Sequence, residues 1–76
     1  MKFKISFQHV HTSEERIITV DLDKARCAEV EAIRRQDGDD QADLIAGCHA
    51  MQLACRQLSD PALFQHTAPP ERIFLQ

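Results

Sequence analysis

The sequence has no tryptophan and no tyrosine; apart from histidine, its aromatic side chains are four phenylalanines. A domain that grips nucleic acid through phosphates and stacked bases needs a basic stripe and aromatic platforms. Neither is present. Twelve acidic residues against nine basic ones leave a net charge of -3, with a pI near 5.7. The densest positive run, Arg34–Arg35, lies between Glu31 and Asp37. Nucleic acid is therefore not an expected partner. Long apolar runs are also missing: nothing approaches the roughly 20 residues of a membrane helix, and no apolar stretch of a secretory leader follows Met1–Lys2. No membrane partner is expected.

Glycine is scarce, with only two in the chain, so there is no glycine-rich phosphate loop. A nucleophile elbow and an HExxH metal motif are absent as well. Cys48 and His49 are neighbours, but adjacent helical residues point about 100° apart. The thiol is expected to face the core and the imidazole water, so the base cannot activate the nucleophile. The expectation is a non-enzymatic protein with no cofactor. The three cysteines form no CxxC pair, and Cys48 and Cys55 stand two helical turns apart, roughly 10 Å, beyond the reach of a disulfide. Reduced thiols in a cytoplasmic protein are the natural reading.

What is present is a sparing supply of core material: 21 large apolar residues and nine alanines among 76 residues. That suffices for one domain over 1–76. A chain this short buries only about 60% of its unfolded surface, so little stability is in reserve. Residues 2–10 alternate, with Phe3, Ile5 and Phe7 on one side and Lys2, Lys4, Ser6 and Gln8 on the other. Residues 16–22 place Ile18, Val20 and Leu22 on one face. Period two marks half-buried strands, and the short polar connection predicts a hairpin. Inner sets meet if odd residues of the first strand face even ones of the second. The expected register sets Phe7 against Val20, Ile5 against Leu22, His9 against Ile18 and His11 against Arg16; a pairing shifted by two residues satisfies the same parity. It also pairs Val10 with Ile17 on the outer face as a small apolar patch.

Asp23 is a suitable N-cap for a first helix over 24–36, with Leu22 and Cys27 placed as a hydrophobic staple and Cys27, Val30 and Ile33 as its apolar stripe. Gly38 suits the stop. A second helix over 40–58, capped by Asp39 or Asp40, carries two stripes. Leu44, Cys48, Met51, Cys55 and Leu58 recur at spacings of 4, 3, 4 and 3, the a/d pattern of a packed seam. Ala42, Ala46, Ala50 and Ala54 form the other. Ser59–Asp60 before Pro61 reads as a new cap with a short helical turn to Gln65, residues 67–70 as a linker, and 71–75 as a short strand or extended tail. The expected fold is two-layer α+β, in the order β-β-α-α-(β).

Three sites follow. The alanine stripe permits close helix approach and, with Val10 and Ile17, is the expected surface for a protein partner or a second copy; small domains often gain stability by oligomerising. His9 and His11 project from one strand face and offer two nitrogens to zinc, but no third ligand stands at a fixed zinc spacing. Asp37, Asp39, Asp40 and Asp43 form an acidic patch that could mimic nucleic acid toward a basic partner, although acids at a helix start need no ligand to explain them. The favoured function is a small intracellular interaction or accessory protein that self-associates through helix 2 or the outer hairpin face. A zinc-binding module and an acidic inhibitor are the alternatives.

Overall fold

Alternation from Lys2 through Gln8 underlies the longest strand, Lys2–His9, and every other strand of the sheet pairs with it. In the computed structural model, which describes residues 1–74, this strand (β1) pairs antiparallel with β2 (Glu15–Asp21) on one side. Its other side is shared by two short strands, β3 (Phe64–His66) and β4 (Glu71–Ile73). Helices α1 (Lys24–Asp37) and α2 (Asp39–Arg56) lie between β2 and β3 in the chain. The architecture is α+β. The α2 helix packs on both β1 and β2, and α1 rests mainly on α2.

The hairpin keeps the expected inner faces but not the expected register. Phe3 faces Val20, Ile5 faces Ile18 and Phe7 faces Arg16, a shift of four residues. The turn sits two residues earlier in the chain than expected, because the His9 side chain builds it. His9 Nδ1 accepts the backbone N–H groups of His11 (3.1 Å) and Thr12 (3.2 Å). Ser13 adopts a left-handed φ of 60°, and the His9 N–H donates to Glu14 O across the closing pair. The Val10–Ile17 pair is therefore not formed: Ile17 stands opposite Ser6, and Val10 lies in the turn, its N–H bonded to Leu63 O. Leu22 falls past the end of β2 and donates its N–H to Met1 O, while its side chain stays in the core.

The second edge of β1 is not one strand. Between His66 and Glu71 the chain has four residues where β1 has two, Ile5 and Ser6. Proline has no N–H to give a ladder, so Pro69 and Pro70 force the bulge. Thr67 anchors its start, with its backbone N–H bonded to Ser6 O at 3.0 Å. The turn expected through Gln65 ends sooner: a 3-10 turn covers Pro61–Leu63 and the chain then extends. Of the expected 71–75 segment, residues 71–73 pair with β1, and Leu75 lies outside the described residues.

Asp23 caps α1 by accepting the Arg26 N–H at 2.8 Å, and its carboxylate also meets the Arg26 guanidinium. That backbone bond, reinforced by the guanidinium, holds the Asp23 carboxyl below its ordinary value of 3.8. Gly38 alone joins the two helices. It caps the end of α1 through Gly38 N–H to Arg34 O, and its own carbonyl accepts from Ala42 in α2. Its backbone (φ 93°, ψ 177°) lies in a region essentially reserved for glycine. The cap expected from Asp39 or Asp40 is not formed: Gly38 stands at the N-cap position of α2, and both acids lie in its first turn.

Large side chains come to the core from the sheet and small ones from the helix. Phe3, Ile5, Phe7, Ile18 and Val20 meet Ala42, Ala46, Ala50 and Ala54, with Leu22, Val30 and Leu58 closing the cluster. No polar or charged residue of the described chain is fully buried.

Candidate interaction surface

The two stripes of α2 have exchanged the places the sequence suggested. The four alanines are 0–2% exposed and belong to the core, so they offer nothing to another chain. The reason is volume. Phenylalanines and isoleucines on the sheet already fill the layer between sheet and helix, and close packing then requires small residues opposite. The Leu44–Cys48–Met51–Cys55 seam lies on the opposite side of the helix at 100° per residue. Leu44 is 60% exposed, Cys48 is exposed, and Met51 and Cys55 are half-buried at the margin of the core; only Leu58, past the helix end, is buried.

Two hollows run along this outer face. One, about 510 Å³, lies between the Asp40–Met51 stretch of α2 and the bulge prolines Pro69 and Pro70. Gly47 faces that wall with room to spare: a Cβ there would stand 4.0 Å from the Pro70 ring, an ordinary contact. The second continues over Cys48, Met51, Gln52, Cys55 and Arg56. The 4-3-4 spacing reveals this seam but not its side, since spacing gives a stripe's angular position and not which stripe the sheet takes.

The hairpin residues proposed for contact remain separate. Val10 and Ile17 are each exposed but occupy the turn and mid-strand, and form no joint patch. The tip histidines lie with ring centroids 5.8 Å apart. The imidazole of His9 is committed locally: its Nδ1 accepts the two turn N–H groups, and its ring packs edge-on against Phe64 at 5.1 Å. Arg16 covers the same Phe64 ring at 4.9 Å. Among the described residues no three His, Cys, Asp or Glu side chains are grouped to hold a metal ion.

The acidic cluster is partly answered from within. Arg34, near the end of α1, bonds Asp39 at 2.6 Å, Glu31 at 3.4 Å and approaches Asp43 at 3.5 Å. The Asp39 bond raises the Arg34 pKa, keeping its charge fixed. Asp37 and Asp40 make no ion pair among the described residues, and Asp40 and Asp43 border the hollow beside Pro69 and Pro70. Across the helix interface His49 Nε2 comes within 3.2 Å of Glu29 Oε2 without hydrogen-bond alignment. The Cys48 and His49 side chains diverge, but opposite to expectation. The thiol is exposed, and the imidazole is partly covered beside α1. All three cysteines are free thiols.

No helix of the described residues is long and apolar enough to cross a membrane. No family model, curated protein or solved structure matches the chain.

Proposed function

We propose that this chain is a small intracellular interaction module that self-associates through the outer face of α2. The observation that carries this reading is the a/d-spaced seam of α2, in which Leu44 and Cys48 are exposed and Met51 and Cys55 are only half-buried at the margin of the core. Full burial of a Leu or Met side chain is favourable by about 1.5–3 kcal/mol. In the single chain most of that gain is unrealised at Leu44. A face opposite the core would ordinarily be polar. The three free thiols suit a reducing compartment.

Light scattering on the full chain across a concentration series tests this. The expected mass rises toward twice 8.7 kDa, and Leu44→Glu returns it to 8.7 kDa while leaving the far-UV circular dichroism unchanged. A mass of one chain at every concentration overturns the reading.

A further inference from the structure

We infer that the two copies meet through antiparallel α2 helices related by a twofold axis, with Leu44 against Cys55 of the partner copy and Cys48 against its Met51. This rests on the self-association reading and specifies its geometry. The spacing of the four seam residues, 4-3-4, is the same read from either end. One antiparallel register therefore brings all four into opposed layers.

Volume separates this arrangement from a parallel one. Antiparallel pairing puts a large side chain opposite a small one in every layer, Leu with Cys and Met with Cys. Parallel in-register pairing gives Leu–Leu and Met–Met layers alternating with Cys–Cys layers, crowded and underfilled in turn, which a close-packed interface does not tolerate. Charge separates them in the same sense. Asp39 and Asp40 lie in the first turn of α2 and Arg56 in the last. Antiparallel packing sets each acidic turn near the axial level of the partner's Arg56 and opposes the helix dipoles. Parallel packing sets the two acidic turns side by side. Leu44, 60% exposed in the single chain, then faces the end of the hollow bordered by Gln52, Cys55 and Arg56.

The test is a register-specific cross-link in the full chain. A variant carrying Cys27→Ser, Cys48→Ser and Leu44→Cys keeps Cys55 as its only native thiol. Positions 44 and 55 of one chain are about 16 Å apart along the helix, too far to bridge, so any link between them joins two copies. Mild oxidation is expected to give a covalent dimer that peptide mapping assigns to 44–55. Should that variant fail to fold by circular dichroism or stay monomeric by light scattering, nitroxides on Cys55 in the Cys27→Ser/Cys48→Ser background provide the second measurement. Their attachment positions are about 19 Å apart in the antiparallel pair, against about 9 Å for parallel helices, so the label distance is expected to be the longer of the two. A dimer that links only 55 to 55, or places the labels at the shorter distance, overturns the antiparallel geometry and leaves the surface in place. A wild-type chain that stays monomeric overturns both.

Discussion

Ala50 shows how much of this fold turns on single small side chains. It is fully buried against the sheet, where added volume has no outlet and a carboxylate no partner. Ala50→Glu is expected to unfold the chain, since overpacking alone costs about 1–3 kcal/mol and an unpaired buried charge adds to it. Loss of the far-UV helical signal at 25 °C is the measurement. Retention of the fold with loss of association would instead place the alanines at an interface. Asp23 offers a contrast at the surface. Its carboxyl is held below 3.8 chiefly by the Arg26 N–H bond. A depressed carboxylate stabilises the fold above its unfolded pKa, and the effect disappears as pH falls through the lower folded value. Asp23→Asn keeps a capping oxygen but cannot ionise. Wild type is expected to melt higher than this variant near neutrality, and the two curves should converge well below pH 3.8. A constant difference across that range would assign the gap to the cap and not to the charge.

Elements differed in how plainly they were written in the sequence. The strands of the hairpin and both helices are legible because each repeats its period over seven or more residues. The register is not, because a shift by an even total preserves the inner face, and the choice fell to the His9 side chain in the turn. β3 is three residues long, too short to show alternation, and is formed only because β1 offers an open edge. The stripes of α2 were visible, but their assignment depended on the bulk that Phe3, Ile5 and Phe7 bring from another element. The joint between the helices is the opposite case: Gly38 was expected as a stop, and its φ of 93° requires glycine. Nothing lies within 4 Å of a Cβ built there, so the penalty for a side chain is purely conformational. Gly38→Ala is expected to cost about 1–3 kcal/mol, read as a lower urea midpoint with an unchanged slope. An unchanged midpoint would mean that the joint relaxes without strain.

For the whole molecule, the thin core and the uncovered seam have the same origin. A 76-residue chain that assigns four alanines to its central layer has little apolar area left to stabilise itself. The larger side chains that would deepen the core stand on the outer face of α2 instead. Association is then expected to supply stability that the single chain lacks, which mass action makes measurable. A dimer that forms only from folded chains melts at a temperature that rises with protein concentration. For the wild-type chain the melting temperature should climb across a hundredfold range of concentration, and raised salt should lower it modestly if the Arg56 and acidic-turn contacts contribute. Leu44→Glu should melt at one temperature throughout, equal to or below the wild-type value at its lowest concentration. A wild-type midpoint independent of concentration would mean that the monomer is the complete folding unit, with its exposed seam left as a cost of its small size.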